Sequence, residues 1–296
     1  MAEYLTKYGY APDQEAMSRA LELIAANLEN IASEQVYKDC FSMMDLTTLK
    51  TDDTPASVTK LVKKVNAFQE SYPEWPLPAS ICVFSNFAAT VKEARTADVN
   101  ITVVSACFPS SQSFLEVKLR ECEIAVEQGA DEVDIVLALS KFLAGDYEGA
   151  ADEIRQVRNC IDKVARKQGR TVHLKVILET GALRTPELIR QASLLAMQAG
   201  ADFIKTSTGK IDISATPEAV VIMCQAIKAY YELTSRKIGI KIAGGVRTPE
   251  QAALYYTIVE QILGSEWLTT DLFRIGASSA ANNILSAIEG KEVKYF

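Results

Sequence analysis

Short runs of β-branched and aliphatic residues alternate with longer stretches whose apolar positions recur every three to four residues, and this alternation fills most of the chain. The short runs predict strands over 40–46, 80–84, 100–105, 132–137, 172–178, 202–206, 238–242 and 272–275. Each is followed by a helical pattern, as in 87–97, 114–128, 186–198, 217–233, 249–263 and 277–288. Thr54-Pro55 supplies a start signal after the first strand, and Gly129 and Gly200 supply stops. Ahead of the first strand, Ala16, Ala20, Leu23, Ile24 and Ile31 predict one helix over 13–36, opened by Pro12-Asp13. Eight strand-then-helix units demand a parallel sheet with helices outside, and over about 250 residues they match a closed (β/α)8 TIM barrel. The reading is an α/β chain with an N-terminal helical extension (1–39) packed on a barrel domain (40–296). An open doubly wound sheet is the alternative; it usually carries a glycine-rich turn after its first strand, where this chain has Asp-Leu-Thr-Thr.

Composition narrows what such a barrel does. The net charge of −7 and the pI near 5.1, with no basic block, argue against nucleic acid as a partner, so an anionic ligand must be caught by a local cluster. The N-terminus lacks a basic segment followed by an apolar core, and no apolar run reaches the roughly 18 residues that span a bilayer, so the expectation is a cytoplasmic protein with no membrane partner. The six cysteines form no C-x-x-C pair and read as buried free thiols. A single histidine, His173, weighs against metal sites and against Ser-His or Cys-His catalysis, so neither a metal nor a cofactor is expected.

The candidate chemistry lies in the charged residues that interrupt apolar strands: Asp45, Asp134, Lys175, Lys205 and Lys241. Any one of these lysines, taken alone, reads as a strand-end side chain that snorkels to solvent. Parallel barrel strands are covered on both faces, however, and four charges on four consecutive strands need partners or a purpose. A lysine crowded by ammonium groups and apolar walls has a lowered pKa, and its neutral amine attacks carbonyls. A carboxylate beside it moves protons, and a second lysine holds or passes them. The later loops offer an anion site: Thr208-Gly209-Lys210 after strand six, Gly244-Gly245 after strand seven, and Gly276-Ala-Ser278 at the start of the last helix. The blander reading gives these glycines to tight turns and Ser278 to a helix cap.

The segments Met44-Asp-Leu-Thr-Thr48, Gly129-Ala-Asp-Glu-Val-Asp-Ile-Val136, Leu174-Lys-Val-Ile-Leu-Glu-Thr-Gly181, Asp202-Phe-Ile-Lys-Thr-Ser-Thr-Gly-Lys210, Lys241-Ile-Ala-Gly-Gly-Val-Arg247 and Arg274-Ile-Gly-Ala-Ser-Ser279 resemble the deoxyribose-phosphate aldolases, a class I aldolase family. The resemblance runs in the family's order over nearly all of the chain after residue 40. It implies reversible cleavage of 2-deoxy-D-ribose 5-phosphate to acetaldehyde and D-glyceraldehyde 3-phosphate. It further implies Lys205 as Schiff-base lysine, Asp134 as proton donor and acceptor, and Lys241 as the lysine that depresses the amine's pKa. Lys175 and Asp45 would complete the polar network, with phosphate contacts at Gly209, Lys210, Gly244, Gly245, Gly276 and Ser278. Two departures lie beside this set: Ser110-Ser111 after Phe108-Pro109, where a glycine is common, and Lys-Ile-Ala in place of Lys-Pro-Ala on strand seven. Some members end in a tyrosine tail that reaches the active site, and this chain ends Lys294-Tyr295-Phe296. Two other readings stay open: an aldolase or isomerase of another phosphosugar, and a silent barrel serving as a binding protein. The sequence leaves a homo-oligomer open.

Overall fold

The structure, a computed structural model, describes residues 14–27 and 31–296. Eight parallel strands close into a barrel in chain order, β1 (Met44–Thr47), β2 (Ser80–Phe84), β3 (Asn100–Val104), β4 (Glu132–Val136), β5 (His173–Ile177), β6 (Phe203–Lys205), β7 (Gly239–Ala243) and β8 (Phe273–Ala277). β8 pairs back onto β1, with Asp45 opposite Gly276. The expected (β/α)8 architecture is therefore present, and the open sheet is excluded.

Strand residues such as Val133, Ile135, Leu174, Val176, Ile204, Ile240, Ile242 and Ile275 are buried in the apolar core. The alternate residues turn inward to the barrel axis, because side chains switch faces with period two. Four of the surrounding helices, Pro55–Asn66, Pro186–Gln198, Pro217–Thr234 and Pro249–Leu263, share one start. A threonine in extended backbone (Thr54, Thr185, Thr216, Thr248) accepts a hydrogen bond from a first-turn amide, and proline takes the first helical position. Proline fits there because its missing N–H would have had no helical partner.

The N-terminal segment departs from expectation. The helix expected over 13–36 is not continuous: among the described residues Gln14–Ala26 is helical and a separate helix runs over Glu34–Ser42, while residues 13 and 28–30 lie outside the described ones. Ser33 is extended and its hydroxyl accepts the Val36 amide, so a new helix starts there. The first strand is also shorter than the expected 40–46. Cys40 and Phe41 belong to the helix, where with Val36 and Tyr37 they form one apolar face at helical spacing, and the strand begins only at Met44. Between β4 and β5 the chain forms two helices, Leu139–Leu143 and Tyr147–Lys167, the second capped by Asp146. No helix among the described residues is long and apolar enough to cross a membrane.

Candidate active site

Strand register assembles the site. Asp134 lies opposite Lys175, Lys205 opposite Lys241, and Lys241 opposite Arg274, so neighbouring strands deliver charged side chains to one level of the barrel interior. All are buried. Asp134 is the hub: its Oδ2 accepts hydrogen bonds from Lys205 Nζ at 2.8 Å and Lys241 Nζ at 2.7 Å. Its Oδ1 faces Lys175 Nζ at 3.2 Å and accepts no hydrogen bond, which leaves one oxygen of a buried carboxylate open to a proton. Lys241 Nζ also pairs with Asp45 Oδ2 at 2.5 Å.

The network continues toward the N-terminal ends of the strands, where Glu132 joins it. Arg274 Nη1 donates to Asp45 Oδ1 and Nη2 to Glu132 Oε1, each at 2.6 Å. Lys175 donates to Glu132, which also accepts from Thr102 Oγ1 at 2.7 Å and Asn100 Nδ2 at 2.8 Å. Ser80 Oγ donates to Asp45 at 2.8 Å. The Phe203 ring lies under Lys175 and Arg274, with cations 5.7 and 5.8 Å from its centroid. Gly239 leaves that ring room, since a Cβ there would sit 2.3 Å from it.

Counting these groups separates Lys205 from its neighbours. The interior holds four cationic side chains, Lys175, Lys205, Lys241 and Arg274, against three carboxylates, Asp45, Glu132 and Asp134. One unbalanced charge in a buried space is costly, and losing a single ammonium proton restores balance. Lys205 and Lys241 differ in how their surroundings treat that charge. Burial lowers Lys205, and the charge of Lys241 lowers it further against the pull of Asp134. Burial also opposes the charge on Lys241, yet Asp134 and Asp45 outweigh it and hold that lysine well above its ordinary range. Burial would raise Asp134, but Lys175, Lys205 and Lys241 hold it far below the usual carboxylate range. For Glu132 the same opposition, with Lys175 and Arg274 as the cations, leaves the carboxyl at about 2. Asp45 is likewise held well down against its burial, chiefly by Lys241 and Arg274. Between Lys205 and Lys241, it is Lys205 that its surroundings push toward the neutral amine.

Lys205 and Lys241 open into a pocket of about 280 Å³ lined by Thr208, Gly209, Lys210, Gly244, Gly245, Gly276 and Ser278, together with Lys50 and Arg247 from flanking loops. The N–H groups of Gly209, Gly244, Gly245, Ser278 and Ser279 bond to no described residue. Ser278 makes no cap to its helix, so its hydroxyl is not tied up as the blander reading supposed. Gly244 is required: at φ 80° a Cβ would meet Ser214 Oγ at 2.6 Å and Gly209 Cα at 3.1 Å. Lys210 Nζ reaches across the mouth to Leu49 O at 2.7 Å. These donors, the positive end of the Ser279–Glu289 helix, Lys50, Lys210 and Arg247 give the pocket beside the amine the chemistry of an anion cradle.

The structure thus brings Asp45, Asp134, Lys175, Lys205 and Lys241 into one buried network, with Thr208, Gly209, Lys210, Gly244, Gly245, Gly276 and Ser278 around the pocket it opens into. It adds Glu132 and Arg274 to the charged side chains inside the barrel. Glu132 lies two residues before Asp134, and Arg274 two before Gly276, so the period-two rule that brings Asp134 and Gly276 inward brings them inward too. Ser111 takes a left-handed backbone at φ 57°, the conformation a glycine adopts freely, and its hydroxyl accepts from buried Lys118 at 3.0 Å. Tyr295 does not line the pocket. Its hydroxyl donates to Lys64 O at 2.9 Å, and its ring packs on Phe68 and Tyr72.

Fold and site together define a (β/α)8 barrel with a buried cluster of lysines and carboxylates on its inner face, of the kind that serves enzymes. The comparisons make the family specific. Residues 40–279 match the model of the DeoC/LacD family aldolases, and the chain belongs to that family. It is 39% identical over 254 residues to the deoxyribose-phosphate aldolase of Homo sapiens, covering 82% of this chain and 77% of that protein. To the deoxyribose-phosphate aldolase of Agrobacterium fabrum it is 39% identical over 252 residues, covering 85% and 91%. Among solved structures, the aldolase QR15 superposes with a TM-score of 0.68 at 26% identity, covering 85% of this chain and 96% of that one.

Proposed function

We propose that this chain cleaves 2-deoxy-D-ribose 5-phosphate reversibly to acetaldehyde and D-glyceraldehyde 3-phosphate through a Schiff base on Lys205. The observation that carries the reading is the buried position of Lys205, whose burial and nearness to Lys241 push its pKa down while its amine lies 2.8 Å from the Asp134 carboxylate. The amine adds to the C1 aldehyde of the open-chain sugar, and loss of water gives an iminium. The C3 hydroxyl loses its proton, the C2–C3 bond breaks, and its electron pair passes into the iminium to give an enamine, while the phosphate-bearing aldehyde departs. Protonation of the enamine at C2 and hydrolysis return acetaldehyde and the free amine. Asp134 suits both proton transfers, because its Oδ1 accepts no hydrogen bond and Lys241 on Oδ2 resupplies protons. The relatives' names and the donors around the pocket support a phosphorylated sugar as substrate.

The test is acetaldehyde release from deoxyribose 5-phosphate, combined with borohydride trapping and peptide mass analysis. We expect a two-carbon adduct on Lys205, and in Lys205→Leu no adduct and at least about a 10³-fold loss of turnover, since the covalent route is closed. An adduct on Lys175 or Lys241 instead, or activity that survives the substitution, would sink the assignment.

A further inference from the structure

One buried carboxylate at the barrel mouth stands outside the charge network. Glu179 follows β5, is 3% exposed, and pairs with no cation among the described residues. Both of its oxygens go to one residue: Oε1 accepts the Thr208 amide at 3.1 Å and Oε2 accepts the Thr208 hydroxyl at 2.5 Å. Its backbone is left-handed, φ 56° and ψ 61°. A residue with a Cβ keeps that conformation only where the surroundings fix it, and such outliers cluster at functional sites.

The consequences run along the turn after β6. Having given its proton to Glu179, the Thr208 hydroxyl accepts the Lys210 amide at 3.1 Å. Of three successive amides, the outer two are thereby occupied inside the protein. The middle one, Gly209 N–H, bonds to no described residue and lines the pocket. The same turn lies against β7's loop, where Gly209 and Gly244 approach too closely for a side chain at Gly244. Glu179 itself does not line the pocket.

We infer that Glu179 is a positioning residue for phosphate recognition: through Thr208 it fixes the turn so that the Gly209 amide and Lys210 are presented to the anion. A buried carboxylate used this way must have its charge taken up, or it would repel the ligand it serves, and the two bonds from Thr208 do so. This rests on the reading that the pocket takes a phosphorylated sugar, and the test separates the two.

Wild-type protein is first compared on 2-deoxyribose 5-phosphate and on 2-deoxyribose. Absence of a preference for the phosphorylated sugar would overturn the phosphate reading itself. With the preference established, Glu179→Gln is expected to raise KM for the phosphorylated sugar about tenfold while kcat stays within about threefold, with no comparable loss on 2-deoxyribose. Glutamine still accepts the Thr208 amide but presents an NH2 group to a hydroxyl that needs an acceptor, so the hydroxyl loses the bond that orients it toward the Lys210 amide. Thr208→Val cuts the relay from its other end, and adding it to Glu179→Gln is expected to cost little more, as for groups acting as one unit. Equal losses on both sugars would mean that Glu179 only supports the barrel, and an unchanged preference that it does not set the turn; either overturns the inference. Should Glu179→Gln fail to fold, Thr208→Ser and Thr208→Val decide it: serine must keep the preference and valine must lose it.

Discussion

Lys205 in water is an ammonium ion with a pKa near 10.4, useless as a nucleophile at neutral pH. Inside the barrel its charge is opposed first by burial and then by Lys241, while Asp134 favours it. The amine must be deprotonated to attack, so trapping of the Schiff base rises with pH through the Lys205 pKa. Replacing Lys241 with methionine removes one of the influences that lowers that pKa, and the rising limb of trapping rate against pH is expected to move to higher pH. Turnover should fall by about 10²–10⁴, the usual worth of a proton-transfer group. A limb that stays in place or moves toward acid would show that Lys241 does not tune the amine. Lys205, Asp134 and Lys241 were legible in the sequence because each is one charge interrupting a short apolar strand. Glu132 and Arg274 were harder to see, because they lie near the beginning of their strands, where a charge ordinarily reaches solvent. Glu179 was harder still, since a glutamate in a loop reads as surface until Thr208 closes on it.

Loops following β6, β7 and β8 act together although they are distant in sequence. Gly244 touches both Gly209 and Ser214, and Gly276 leaves room for Lys241, whose Cε would be 3.1 Å from an added Cβ. Gly244→Ala therefore both strains a backbone at φ 80° and pushes the turns apart. It is expected to raise KM for the phosphorylated sugar about tenfold or more, the worth of one charge-assisted hydrogen bond. Borohydride trapping with acetaldehyde, which carries no phosphate, should be nearly unaffected; a matching loss there would place the damage at Lys205. Elements opened by Thr-Pro were readable almost to the residue, because capping hydroxyl and preset φ mark the first turn chemically. Where that mark is missing, boundaries slipped. The apolar pair Cys40-Phe41 fits a strand as well as a helix face, and only the position of Ser33 and the packing of the whole face decide between them.

At the scale of the molecule, closure of β8 onto β1 leaves no sheet edge, and the interior is blocked at one end by Phe203, Arg274, Glu132 and the hydroxyls of Ser80 and Thr102. The eightfold alternation announced this closure, but which end would be plugged by salt bridges emerged only from side chains meeting across five strands. The plug makes the site a dead-end shaft, with the amine at its inner end and the anion cradle at its opening. Such a shaft imposes an order of traffic on the proposed reaction. The two-carbon fragment, tethered to Lys205, sits behind the phosphate-bearing fragment and must leave last; in the synthetic direction acetaldehyde must enter first. Product-inhibition kinetics report this directly: acetaldehyde should compete with deoxyribose 5-phosphate and glyceraldehyde 3-phosphate should not, and the opposite pattern would mean that the shaft has a second exit.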